Sequence, residues 1–401
     1  MVVRKGRDLL RKIKGHFKQP EPIQFFSFLT NLPPELVHAI TTFLETPEFC
    51  SLRLTCRKIY ASTRGYFRLQ DLSQNPDLAP LVQKLVVKGR PEDDDFFGQG
   101  IVWERQHPSG HGHLSIPQKG IQQWQDVLRR LVHCKSFQLY RNESYEIDNT
   151  GGLLTAGDAL TLILGIIIEI QIPVVAFSVD FQHGLAVDFI HIGRINTSAV
   201  RRPEFITTWS GVQELSLNPT LQPATTADWV FQFVQHTRSL RKLQIDFGLG
   251  DETASFMHRL PYAELPFHLQ EVTLGSMSQI SGESLAQSLM RFLCRYCDSL
   301  RRIYLKAIFL EEGDCVAVLR CLRESEFSAL EEINLFHLRD GDKGLHFPGV
   351  SENSIVDEEQ GTEFTHFSVK KRGGRRNIGV CYSDAKMDVA LRKLVDWAQF
   401  Y

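Results

Sequence analysis

Three groups of side chains in this sequence are of types that could do chemistry. His107, His111 and His113 fall close together in a Pro/Gly-rich stretch. Imidazoles so placed could hold a divalent metal, but a zinc site draws on a fuller ligand set, and no cysteine or carboxylate stands beside them at ligand spacing. They read as loop polarity, and no metal is expected. Cys294 and Cys297 form a C-x-x-C, the spacing of thiol redox pairs and of half a zinc site. No second pair follows, and both lie in a helix-period stretch, as Cys315 and Cys321 do in the next, where a thiol behaves as a small core hydrophobe. Gly248 and Gly250 lack the third glycine of a dinucleotide loop, and the G-x-S-x-G, G-x-x-x-x-G-K-[ST] and H-E-x-x-H patterns are absent. The expectation is a binding protein, with no catalytic residue and no cofactor.

Composition agrees with a folded chain. Hydrophobic residues make up 43% and charged residues 23% of 401 positions, enough to bury a core. The formal net charge of -2 gives no global attraction to nucleic acid or to an anionic membrane, and neither is expected as a partner. Eight cysteines scattered through apolar runs suit a reducing compartment, so an intracellular location, cytoplasm or nucleus, is expected. The basic start (Arg4, Lys5, Arg7, Arg11, Lys12, Lys14) lacks the apolar stretch of a signal peptide, and the longest apolar run, 159–168, is too short to span a bilayer.

Stepping along the chain, residues 1–22 form a basic arm in which Leu9, Leu10, Ile13 and Phe17 recur at helical spacing. Residues 23–70 read as a compact helical module. Leu36, Ile40 and Leu44 follow a Leu32-Pro33-Pro34 entry, where proline is tolerated because the first helical turn has no intrahelical partner for its N–H. Thr46-Pro47 starts a second helix, with Phe49, Leu52, Cys56 and Ile59 on one face. A unit of this size buries a poor core alone and needs a neighbour.

Beyond it, the pattern apolar-x-x-apolar-x-apolar recurs nine times. Its middle residues are Leu85, Phe137, Phe177, Leu215, Leu243, Val272, Ile303, Ile333 and Phe367. From Leu215 to Ile333 the steps are 28, 29, 31 and 30 residues; the earlier steps of 52, 40 and 38 leave room for insertions, the most polar of them near 90–120. Helix-period segments lie between the copies, among them Ile121/Trp124/Leu128, Trp229/Phe233 and Leu285/Leu289/Phe292. Alternation of strand and helix at this period predicts a parallel sheet lined by helices over 71–383, with Met387/Leu391/Leu394 in a capping helix over 384–401. Side chains alternate along a strand, so Glu214, Ser216, Lys242, Gln244, Asp246, Glu271, Thr273, Arg302, Tyr304, Lys306, Glu332 and Asn334 are expected on the face away from the core. Of these, Lys242, Gln244, Glu271, Arg302, Tyr304, Lys306, Glu332 and Asn334 are the candidate partner-binding surface, and Tyr304 is its candidate anchor. The acidic run Glu92–Asp95 and the basic run Lys370, Lys371, Arg372, Arg375 and Arg376 read as solvated loops; with the N-terminal arm, the basic run also fits a nuclear address.

The repeat phrase resembles that of leucine-rich-repeat proteins of the longer, helix-bearing type, whose fold is an α/β solenoid. At the position where that family places a buried Asn or Cys, this chain has Asn142 once and otherwise Gly248, Met277, Ile308 and Leu338. The stretch from Leu32-Pro33-x-Glu35-Leu36 through Ile40 and Leu44 to Leu52-Arg53-x-Thr55-Cys56-Arg57 and Tyr60 resembles the F-box, with Tyr60 where the family has tryptophan. That likeness implies a Skp-family adaptor held by Leu32, Pro33, Leu36, Ile40 and Leu44. It also implies a role as substrate receptor in a cullin-based ubiquitin ligase, with a client on the repeat surface. A repeat scaffold with no role in degradation is the alternative.

Overall fold

The computed structural model describes residues 69–89, 104, 114, 118, 121–141, 156–181, 197–219, 221, 224–247, 252–278, 284–347, 355–357, 362–371, 374–383 and 387–400. The helical pair expected before residue 69, the basic arm, the 92–95 acidic run and His107, His111 and His113 lie outside them. The chain divides into two compact units, 1–79 and 80–401. Of the first, helix α1 (Leu69–Gln74) is described.

The second unit is built on one sheet in which chain order and spatial order coincide. Strands β1 (Lys84–Gly89), β2 (Ser136–Arg141), β3 (Ala176–Phe181), β4 (Glu214–Leu217), β5 (Lys242–Asp246), β6 (Glu271–Ser278), β7 (Arg302–Leu310) and β8 (Glu332–Asp340) lie side by side and parallel. The middle residues of the sequence pattern pair in one unbroken line: Leu85, Phe137, Phe177, Leu215, Leu243, Val272, Ile303 and Ile333. Of these, all but Leu85 are at most 2% exposed. Burial of each contributes about 1.5–3 kcal/mol. A one-residue slip would turn a whole strand's apolar set to water, which fixes the register. The backbone repeats as regularly. The carbonyl of Gln83 accepts the N–H groups of Lys135 and Ser136, that of Lys135 accepts Val175 and Ala176, and the same double acceptance passes through Val175, Gln213, Arg241, Gln270 and Arg301.

Parallel neighbours need crossovers, and crossovers of one hand put every helix on one face. The helices are α2 (Ile121–Arg130), α3 (Ala156–Glu169), α4 (Pro203–Trp209), α5 (Ala224–Gln235), α6 (Thr253–Tyr262), α7 (Leu285–Arg295) and α8 (Asp314–Glu324). Those next in sequence touch, except that α4 and α5 meet through the 3₁₀ turn Thr197–Arg201. The apolar run at 159–168 lies in α3, buried on nearly every side. Between helices and sheet, Trp209 stacks on Phe205 at 4.9 Å and meets Phe233 edge-on at 4.5 Å, with Trp229 beyond at 4.7 Å.

Two findings depart from the sequence expectation. The ninth pattern copy, Phe364/Phe367/Val369, does not continue the parallel series. It lies in β11 (Thr362–Lys371), which pairs antiparallel with β12 (Gly374–Ser383), and β12 is the strand beside β8. No helical stretch separates β11 from β12, so the chain turns straight back. The basic run is therefore a hairpin rather than a loop: Lys370 stands opposite Arg375 and Lys371 opposite Gly374. Strand β10 (Ile355–Asp357) adds outside β11, and β9 (Lys343–His346) folds back on the end of β8. The last helix, α9 (Met387–Trp397), packs against α8 and is followed by β13 (Gln399–Phe400), which pairs with β9.

The second departure is a column of left-handed backbone. Ser276, Ala307 and His337 have φ of 55°, 52° and 55° at matching places in β6, β7 and β8. Each shifts the alternation by one residue, so that Leu274 and Met277, Leu305 and Ile308, and Leu335 and Leu338 all point into the core. Register resumes beyond it, Met277 beside Ile308 beside Leu338. Of the positions that break the leucine-rich-repeat pattern, Met277, Ile308 and Leu338 thus hold apolar side chains in the core, where that family places Asn, and Gly248 lies outside the described residues.

A left-handed residue other than glycine costs about 1–2 kcal/mol. Ala307→Gly is therefore expected to leave stability unchanged or raise it by up to about 1 kcal/mol, whereas Ala307→Val should lose about 2 kcal/mol, read as urea midpoints. Asp340, 4% exposed, accepts the N–H groups of Gly313 and Cys315 at 2.9 Å each and so caps α8 from the neighbouring strand. Asp340→Ala should cost about 2 kcal/mol in the same measurement.

Candidate functional site

The face of the sheet away from the helices carries polar side chains in rows that cross the strands. In the first row stand Glu214, Lys242, Glu271, Arg302 and Glu332, one on each of five neighbouring strands. Because the strands are in register, opposite charges stand about 4.8 Å apart along the row. Glu271 is the hub. Its carboxylate lies 3.2 Å from Lys242 Nζ and accepts from Arg302 at 2.7 Å, and the Arg302 Nε lies 3.7 Å from Glu332. Two cations against three carboxylates leave the row with one net negative charge.

The second row is uncharged: Gln138, Ser178, Ser216, Gln244, Thr273, Tyr304 and Asn334. Tyr304 is tied to Glu332; burial, then that hydrogen bond and the glutamate's charge, push its phenol well above the usual tyrosine range. In the third row Asp246 reaches toward Lys306 Nζ, 3.9 Å away, while its other oxygen is buried with no hydrogen-bond partner. Gly275 makes room for that carboxylate, since a Cβ there would stand 2.9 Å from Asp246 Oδ1.

All eight residues expected on the partner surface stand on this one face, and the structure sorts them. Lys242, Glu271, Arg302 and Glu332 share the charged row, Gln244, Tyr304 and Asn334 the neutral one, and Lys306 stands with Asp246. Leu32, Pro33, Leu36, Ile40 and Leu44 lie outside the described residues. Sequence reasoning missed Phe309, Phe336, His337 and Arg339. Strict alternation would send Phe309 and Arg339 into the core, but the left-handed residues before them turn both to the open face. The doubled apolar pair in Ile308-Phe309-Leu310 was the available signal.

Among the described residues, every thiol whose acidity is shifted is made a weaker acid. Cys294 lies 3.3 Å from Cys321 on the next helix rather than pairing with Cys297. Both, with Cys297, are half-buried rather than in the core, whereas Cys134 and Cys315 are buried. Burial is the main cause that pushes Cys134 up to about 11, Cys315 to about 12 and Cys321 to about 11. A nucleophilic cysteine needs the opposite shift. A cavity of about 650 Å³ opens where the chain enters β5 and β6, lined in part by His236, Arg238, Glu264 and Arg295. Its Arg295 caps a helix end, donating to the carbonyls of Pro261 and Ala263 at 2.5 and 2.6 Å, and burial, with the charge of Arg238, lowers the His236 pKa. Among the described residues no group of three His, Cys, Asp or Glu is placed to hold a metal, and no helix is long and apolar enough to cross a membrane.

The charged row is testable by removing its hub. Glu271→Gln leaves Lys242 and Arg302 side by side without their shared anion, and should cost about 1 kcal/mol at low salt. The loss should shrink by half or more in 0.5 M NaCl, at about a third of the low-salt Debye length or less.

Comparison with known proteins bears on the other end of the chain. No curated protein matches this sequence. Residues 29–65 match the F-box domain, within the stretch 23–70 whose proline entry and spaced apolar positions read as a helical module, and the chain carries an F-box domain there.

Proposed function

We propose that this chain is the substrate-recognition subunit of a cullin-based ubiquitin ligase, which holds a Skp-family adaptor through residues 29–65 and a client protein through the open face of its sheet. The F-box match carries the reading. In that domain Leu32, Pro33, Leu36, Ile40 and Leu44 make the adaptor contact: a helical pair too small to close its own core leaves apolar positions for a second polypeptide to cover. Residues 71–383 are a degenerate leucine-rich-repeat solenoid whose parallel repeats end at β8, and 384–401 close its end. The in-register strands support this, because a stack of strand-helix units presents one wide, rigid surface suited to a folded partner or a peptide rather than to a small molecule. The protein performs no chemistry of its own. By holding a client beside a ubiquitin-loaded enzyme it raises the effective concentration of the client's lysines, and that gain needs only two binding sites on one chain. The complex is intracellular, in cytoplasm or nucleus.

The double substitution Leu32→Ala with Pro33→Ala should abolish co-purification with a Skp-type adaptor, a loss of at least about a hundredfold in affinity, while the thermal unfolding of the second unit stays unchanged. Retention of the adaptor by that variant would refute the assignment. Client lifetimes that do not lengthen when the protein is depleted would instead mark a scaffold without a role in degradation.

A further inference from the structure

On the open face, the ends of β7 and β8 beyond the charged rows differ from the rest of the sheet. Lys306 stands beside Phe336, and Phe309 stands beside Arg339, so cation and aromatic ring alternate around a four-residue square. The left-handed residues Ala307 and His337 lie inside the square, and by shifting the alternation they put all four side chains on one face. The Arg339 guanidinium lies over the Phe309 ring, 5.3 Å from its centre, and the His337 ring meets Phe309 edge-on at 5.6 Å. Small residues surround the square on every pairing side. Gly275 and Ser278 flank it on β6, Gly344 pairs with Arg339 on β9, and Gly379 pairs with Phe336 on β12. The frame is required as well as present: a Cβ on Gly379 would stand 2.6 Å from the Phe336 ring. Gly379 thus gives the Phe336 ring its place, as Gly275 does for the Asp246 carboxylate.

Charge decides what fits there. In the first row each cation has a carboxylate within 4 Å, but among the described residues Arg339 has none, and Lys306 has only Asp246 at 3.9 Å. A guanidinium stacked on a ring keeps its fork of N–H groups free in the plane, the geometry that grips a carboxylate with two hydrogen bonds. The neighbouring turns limit how much negative charge is welcome. Glu311 and Asp342 are exposed beside the square, and Glu312 is already paired with Lys343. A run of acidic residues would be repelled; a single anion with an apolar neighbour would not.

We propose that the Lys306, Phe309, Phe336 and Arg339 square is the anchor point of the client surface, and that it takes an extended protein segment carrying one Asp or Glu next to an aromatic or large aliphatic side chain. The carboxylate pairs with Arg339, and the apolar side chain lies against Phe309 and Phe336. This deepens the client-binding half of the proposed function and rests on it, but not on the adaptor half.

The test uses the full chain with its adaptor and, as probe, a positional-scanning library of short unmodified and phosphorylated peptides. Enriched peptides should carry one acidic residue beside an aromatic or aliphatic one. Arg339→Gln and Phe309→Ala should each weaken them by about tenfold or more, Arg339→Lys by less, and Arg129→Ala, exposed on α2 away from the open face, by under about twofold. Thermal unfolding of Arg339→Gln should match the unaltered chain, since that side chain is on the surface. Peptides without an acidic preference, a preference met only by phosphorylated residues, binding unaffected by Arg339→Gln, or no bound peptide at all would each overturn the proposal. Adaptor co-purification, unchanged in all four variants, keeps failure of this anchor separate from failure of the ligase reading.

Discussion

The second unit depends on one constraint: eight strands must pair in register along the line from Leu85 to Ile333. Each strand brings at most a few apolar side chains to the core, and none could hold its place alone. Stacked in register they form continuous apolar rows that the helices cover, and burial of every residue depends on its neighbours. The doubly accepting carbonyls from Gln83 to Arg301 are the backbone side of the same constraint. They start each strand at the same height as the one before. Once that height is fixed, the outward side chains have no freedom of register either, and Glu271 must fall between Lys242 and Arg302.

Parallel sheets are ordinarily covered on both faces, because their strands are rich in apolar residues. Here alternation is clean in β4 and β5 and, up to the left-handed residues, in β6 to β8, and over that span only the helix side is apolar. The open side is kept wettable by two rows of different kinds, one of alternating charge and one of amides and hydroxyls. Such a surface has little to gain from non-specific contact: its ion pairs are already made, and among the described residues the two rows show no broad apolar area. The sheet's far end is handled differently. After β8 the chain abandons the strand-helix unit and closes with antiparallel strands, so that the edge beyond β8 is paired by β12 over one half and by β9 over the other. An edge left bare would offer its N–H and C=O groups to any passing strand.

Much of this was legible in the sequence, and the reason is the period. Steps of 28 to 31 residues between Leu215 and Ile333 leave room for one short strand and one helix, so spacing alone gave both the parallel pairing and the middle residue of each strand. The face of Lys242, Glu271 and Arg302 followed from alternation. What alternation could not give was the left-handed column. Ser276, Ala307 and His337 carry none of the glycine or asparagine signature of positive φ, and their conformation is imposed by the need to keep Met277, Ile308 and Leu338 in the core. That is tertiary packing overriding local preference. The ninth repeat misled for a related reason: Phe364, Phe367 and Val369 have the right spacing, but strand direction is set by what connects two strands, and spacing within one strand is silent on it.

The same column explains why the square at Phe309 and Arg339 is unlike the remainder of the open face. In an unshifted strand, Ile308 would stand on the open face and Phe309 in the core. With one residue taken up by the left-handed turn, an aromatic side chain and a cation that has no carboxylate partner among the described residues, both otherwise bound for core positions, come to the surface together. Both arise on adjacent strands because the shift occurs at the same height in each, and it does so because the rows beneath are in register. Local strain at Ala307 and His337 is thereby coupled to a surface feature several ångströms away. The coupling is mechanical: removing the shift would bury Arg339 and expose Leu338 together, so evolution could not keep one without the other.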